Sequence, residues 1–136
     1  MLDSIKKISC FDYTCGFLNN KCQSAIILWL GFRPFNANEL KLLIDDFSGE
    51  EVMANLDQLK LAGIIEPVPN KEEKWNLSES GWELHELILN VAIWGYHQMN
   101  DLEGKENNLI IEPDKAASMG ELVRYRDEFM KKYLGI

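Results

Sequence analysis

The chain has 136 residues, 46% of them hydrophobic and 26% charged, a length and balance expected of about one globular domain with a core of its own. Its formal charge of −8 and pI near 4.7 repel polyanions, so contact with nucleic acid needs a local basic patch; Lys and Arg are scattered singly apart from Lys6–Lys7 and Lys131–Lys132. Three cysteines, Cys10, Cys15 and Cys22, form no disulfide framework and suit a reducing compartment, and no signal peptide or membrane-spanning run is visible, so a cytoplasmic protein with no membrane partner is expected.

In chain order, Ile5, Ile8, Phe11, Cys15, Phe17 and Leu18 recur at helical spacing and predict a helix from Asp3 to about Leu18. Asn19-Asn20 breaks it. The nearly all-apolar "CQSAIILWLGF" (Cys22–Phe32) predicts a helix buried on most sides, ended by Gly31 and a turn at Arg33-Pro34. Asn36 and Glu39 have the spacing of a capping box and open the short helix "ANELKLLIDD", with Leu40, Leu43 and Ile44 inward. Ser48 and Glu51 repeat that device at the head of a third helix in "DFSGEEVMANLDQLKLAGII" (Asp46–Ile65). Val52, Leu56, Leu59 and Leu61 are expected inside, and Gly63 is placed as the stop.

A hairpin follows, with "IIEPV" and "KWNL" as strands around the turn "PNKEE". Ser78 then caps a long helix, "ESGWELHELILNVAIWGYHQM", whose stripe of Leu84, Leu87, Ile88, Val91 and Trp94 is flanked by Trp82, Leu89 and Tyr96. So wide a stripe predicts packing on the core and, in part, against a second subunit. After the polar "NDLEGKENN" and the apolar "LIIEP", Ser118 and Glu121 cap a final amphipathic helix.

The expected fold is therefore mainly α with a small β-hairpin: a winged helix-turn-helix with additional N- and C-terminal helices. Residues 1–100 form the winged-helix domain with its N-terminal and long helices, and 101–136 a C-terminal extension.

From Asn20 to Trp94 the chain also resembles the HxlR-type winged-helix transcriptional regulators, relatives of the MarR class. The resemblance is carried by Cys10, Asn20-Lys21-Cys22, Pro34 with Phe35, Phe47-Ser48, "LDQLKLAGII", "WNLSESGWEL" and Trp94-Gly95. It implies a cytoplasmic homodimer paired through its terminal helices, with two recognition helices in successive major grooves, and an N-terminal Cys that in some members senses electrophiles or oxidants. The chain departs from that pattern in four places. Cys22 stands where the family has Trp. Pro34 is followed directly by Phe35, so Arg33 comes before the Pro. Asn55 and Asp57 stand where Arg or Lys is usual, and the tail after Met99 is longer.

The candidate DNA-contacting residues are Ser48, Gly49, Glu50, Asn55 and Gln58 on the recognition helix, and Lys71 and Lys74 on the wing. The helix's outer face is expected to present Gly49, Glu50, Met53, Asn55, Asp57 and Gln58. Asn and Gln can read adenine edges and Glu can accept from cytosine, but the cations that anchor phosphates are missing. The plainer reading of Glu50 and Glu51 is favourable interaction with the helix dipole, and of the "NKEEK" tip, a solvated turn.

Cys10, with Lys6 and Lys7 near it in sequence, is the candidate thiol sensor; Cys15 and Cys22 fall on apolar faces. The aromatics Trp29, Trp75, Trp82, Trp94, Phe32, Phe35 and Tyr96 suit core and dimer packing by default, or a small-molecule effector pocket beside the long helix. No catalytic motif, metal-ligand spacing or cofactor signature is present, so no enzyme, metal or cofactor is expected. Two functions follow: a homodimeric DNA-binding regulator that answers a redox or small-molecule signal, or a winged-helix-derived interaction and dimerisation module that has lost DNA binding.

Overall fold

Each of the five helices among the described residues of the computed structural model begins with a side chain that satisfies a backbone amide. The described residues are 8–70 and 73–99, with Lys131 alone beyond them. Ser9 opens α1 (Cys10–Leu18), Asn20 opens α2 (Lys21–Leu30), Asn36 opens α3 (Ala37–Leu43) and Ser48 opens α4 (Gly49–Leu61). Ser78 opens α5 (Glu79–Met99), accepting from the Gly81 amide at 3.0 Å while its hydroxyl reaches the Ile64 carbonyl at the same distance. Each cap satisfies one of the amides that a helix N-terminus leaves without an intrahelical partner, and is worth about 1 kcal/mol. At α3 and α4 the box is reciprocal: Glu39 Oε1 accepts from Asn36 N, and Glu51 Oε1 from Ser48 N, both at 3.0 Å.

Two expected boundaries shift. The first helix begins at Cys10 instead of running from Asp3, because Ser9 supplies the cap; Ile8 lies before it, and residues 3–7 are outside the described set. The short helix expected over "ANELKLLIDD", α3, ends at Leu43, so Asp45 and Asp46 fall in the turn. The expected C-terminal helix and, apart from Lys131, the extension 101–136 lie outside the described residues.

The strands β1 (Ile65–Pro67) and β2 (Trp75–Leu77) pair antiparallel, with Ile65 opposite Leu77 and Pro67 opposite Trp75. Gly63 precedes them at φ 76°, the left-handed conformation that makes glycine the natural stop after α4. Phe35 adds a further bridge to β2, exchanging both backbone hydrogen bonds with Trp75. The turn before α3 is thereby fastened to the hairpin.

The core is organised around α2, in which every residue from Cys22 to Leu30 is buried. Helices α1, α4 and α5 and strand β2 all pack on it, and α3 packs on α4. Trp29, Phe35, Leu40, Leu56, Leu59 and Ile88 are among the fully buried side chains, each stabilising by about 1.5–3 kcal/mol relative to exposure. Val52, Leu56 and Leu59 point inward as expected, but Leu61 does not: it is 88% exposed at the last turn of α4. The inward row of that helix runs 52, 56, 59, and position 61 lies off it.

Two glycines are explained by close approach. The ring of His85 on α5 lies against Gly31 so tightly that a Cβ there would overlap it, and a Cβ at Gly81 would overlap the Ile64 carbonyl oxygen. Gly31 ends α2 with an ordinary φ of −68°. Its missing side chain makes room for α5; no special backbone conformation is involved.

Candidate functional site: the outer face of α4 and the groove beside α5

Helices α3 and α4 pack together, with α4 leading directly into the hairpin. On α4, Ser48, Glu50, Asp57 and Gln58 are exposed, while Gly49 and Asn55 are half-buried. The Lys41 stem passes 3.3 Å from where a Gly49 Cβ would stand.

Asn55 and Gln58 do not form a free base-reading pair. The buried Gln23 of α2, 6% exposed, donates its Nε2 to Asn55 Oδ1 at 3.1 Å and to Gln58 Oε1 at 2.8 Å. Asn20 Nδ2 also approaches Asn55 Oδ1 at 3.3 Å, and Asn55 Nδ2 donates to the Glu51 carbonyl at 2.8 Å. A primary amide has one acceptor oxygen and one NH₂ group, and both ends of Asn55 are engaged within the fold. The sequence reading missed Gln23, whose polar side chain interrupts the apolar run of α2; a Gln inside such a run needs hydrogen-bond partners.

Several cations near this face are also held internally, while Lys41, whose stem passes Gly49, is exposed. Arg33 Nη2 pairs with Glu39 Oε2 at 3.0 Å, its guanidinium 4.3 Å from the Phe35 ring centroid. Lys74 Nζ lies 4.0 Å from Glu39 Oε1, and Lys60 Nζ lies 5.6 Å from the Trp75 centroid. Burial would push the Glu39 carboxyl up, but the Asn36 amide, the Arg33 hydrogen bond and the Arg33 and Lys74 charges together hold it below its ordinary value. Lys74 thus faces Glu39, and Lys71 lies outside the described residues. Asn70 and Glu73 flank the undescribed tip with φ of 62° and 53°.

Cys10 is exposed, Cys15 half-buried and Cys22 buried. Burial, with the Glu51 carboxylate adding to it, pushes the Cys22 thiol up to about 11 against a weaker opposing hydrogen bond with Asn55, which suits an inert packing residue. The Lys6 and Lys7 invoked for Cys10 lie outside the described residues. Among the described residues no cluster of His, Cys, Asp or Glu could hold a metal ion, and no helix is long and apolar enough to cross a membrane.

A second feature lies beside α5. Between α1 and α5 runs an open groove of roughly 340 Å³, lined by Tyr13, Phe17, Ile64, Glu83, Leu84 and Leu87 among others. None of the seven aromatics expected to line an effector pocket borders it: Trp29 and Phe35 are core residues, and Tyr13 and Phe17 of α1 supply its rings. The apolar stripe of α5 divides here. Ile88 and Leu89 are buried, whereas Leu87, Val91 and Trp94 are 42%, 49% and 68% exposed.

No family model, curated protein or solved structure matches the chain.

Proposed function

We propose that the chain is a winged-helix-type protein-interaction module, in which the α3–α4 pair and hairpin serve as scaffold and do not read DNA. The observation that carries this reading is the Gln23 hydrogen-bond pair to Asn55 and Gln58. Bidentate recognition of adenine needs an amide oxygen and nitrogen free together, and Asn55 Oδ1 already accepts from both Asn20 and Gln23. Of the cations near α4, Arg33, Lys74 and Lys60 face Glu39 or Trp75, and the exposed Lys41 lies beside a helix that opens with Glu50 and Glu51.

The test is a titration of the purified protein into labelled duplex DNA, its own promoter region and a random sequence, across a salt series. No binding is expected even at low salt, because nonspecific phosphate contact is the first to appear when cations are available. Binding that strengthens steeply as salt falls would overturn the reading.

A second reading, a homodimeric HxlR-like regulator responding to a redox or small-molecule signal, is supported by one observation: two box-capped helices followed by a hairpin, in the order of a helix-turn-helix and wing. Under it Ser48, Gly49 and Glu50 lead the helix into the groove, and two copies of α4 stand about 34 Å apart on one face of the dimer. Both readings place the protein in the cytoplasm.

A further inference from the structure

An apolar seam of regular spacing runs along α5, with its Leu84 and Leu87 lining the groove. Leu84, Leu87, Val91 and Trp94 follow one another at intervals of three, four and three residues, the heptad spacing of a helix that meets another helix along its length. On the same helix Ile88 and Leu89 are buried in the core and Leu84 packs partly against it, while Leu87, Val91 and Trp94 stay exposed. Apolar side chains at this spacing, with most of the seam open, are the anchors of a helix-in-groove contact.

Charge selects the occupant. Glu79, Glu83 and Glu86 recur at i, i+4 and i+7, so they form an acidic row along one edge of the seam, and all three are exposed. Helix α5 contains no Lys or Arg, and the single charged residue of α1 is Asp12. A second copy docked along the same seam would bring further carboxylates to a face whose charged residues are all acidic, which is unfavourable. A helix with Lys or Arg on its flanks would meet complementary charge.

We propose that the α1–α5 groove binds an amphipathic helix of a partner protein, its apolar stripe on Leu84, Leu87, Val91 and Trp94 and its basic flank along Glu79, Glu83 and Glu86. This rests on the interaction-module reading and names the partner's chemistry. The contact is driven by burial of the seam, and the acidic row fixes which helices are accepted.

The experiment uses the full chain and two labelled helical peptides of about 18 residues, long enough to span the seam. Both carry Leu at heptad a and d positions; one carries Lys elsewhere and the other Glu. Fluorescence anisotropy should show the Lys peptide binding at least about tenfold more tightly than the Glu peptide, and Glu83→Lys with Glu86→Lys should reverse that preference. The neutral pair Glu83→Gln with Glu86→Gln should lie between, and circular dichroism checks that each variant is folded. Equal binding of the two peptides, no binding of either, or a preference unchanged by charge reversal would overturn the proposal. These outcomes are separate from the DNA titration: failure of the peptides with no DNA binding removes the groove assignment alone, whereas salt-sensitive DNA binding removes the interaction-module reading.

Discussion

Gln23, on the most buried helix of the fold, donates to Asn55 on α4 at 3.1 Å. The same nitrogen reaches Gln58 at 2.8 Å, and the neighbouring Cys22 and Ser24 are buried with it. A polar joint in an otherwise apolar packing surface fixes the rotation and height of α4 on α2, because sliding the helices would leave a buried amide without partners. The side chains that would have to reach a base from α4 are the ones that hold it in place.

Replacing Gln23 with Ala should therefore destabilise the protein by about 1–3 kcal/mol, from the loss of its two hydrogen bonds to α4 and the small cavity left in the core. Urea unfolding followed by far-UV circular dichroism measures it. Asn55→Ala on top of Gln23→Ala should cost less than the two single changes added together, since they share one interaction; strict additivity would show that the joint is not a unit.

The two crowded glycines should respond differently to a methyl group. At Gly31 the obstacle is the His85 ring, which can rotate away, so Gly31→Ala should cost about 1 kcal/mol. At Gly81 the obstacle is the Ile64 backbone oxygen, which cannot, and Gly81→Ala should cost about 2–3 kcal/mol despite alanine's better helix propensity. Removing the ring with His85→Ala should relieve the Gly31 variant and leave the Gly81 variant unchanged. The reverse order of the two costs would contradict the packing described.

Stability should fall as the solution is acidified through the range just below pH 6.5. Burial lowers the His85 pKa from its ordinary value of 6.5, only partly opposed by the Glu86 carboxylate. Between the lowered value and 6.5 the unfolded chain therefore binds a proton that the folded chain resists. Stability from this group is fully present above 6.5 and is lost as the pH falls toward the folded value. Thermal melts at pH 7.5 and 5.5, compared with His85→Gln, isolate it: the variant should show a shallower loss over that interval, and an equal loss in both proteins would remove His85 as the cause.

Thiol labelling should follow burial. With an aromatic disulfide reagent at neutral pH, the exposed Cys10 should react first, Cys15 more slowly, and Cys22 only after denaturation, since its thiol is buried and pushed up to about 11. Mass spectrometry of partly labelled protein orders the three. If Cys10 also serves as a sensor, Cys10→Ser should abolish the protein's response to diamide, whereas an unchanged response would exclude that role.

Much of the fold is legible in the chain because it is set by local chemistry. Asn36 with Glu39 and Ser48 with Glu51 mark two helix starts on sight, since a capping box is completed within four residues. Gly63 marks a stop through its positive φ, and the alternation around "PNKEE" yields the hairpin. Less visible were the places where distant segments meet. Leu61 matched an apolar expectation yet faces outward, because the direction of a side chain near a helix end depends on what the helix packs against. Gly31 was read as a helix stop, and its tighter constraint comes from His85, far along the chain.

The same division governs the functional face. Local residue chemistry alone marks α4 as a capped, amphipathic, acidic helix leading into a hairpin, and α5 as carrying more apolar surface than one face can bury. Folding had to bring Asn55 and Gln58 to Gln23, turn Arg33 and Lys74 toward Glu39, and leave Leu87, Val91 and Trp94 exposed. The difference is one of range: caps, turns and periodicity are fixed by neighbours within a few residues, whereas a polar side chain's partner is whichever group the fold brings within about 3 Å.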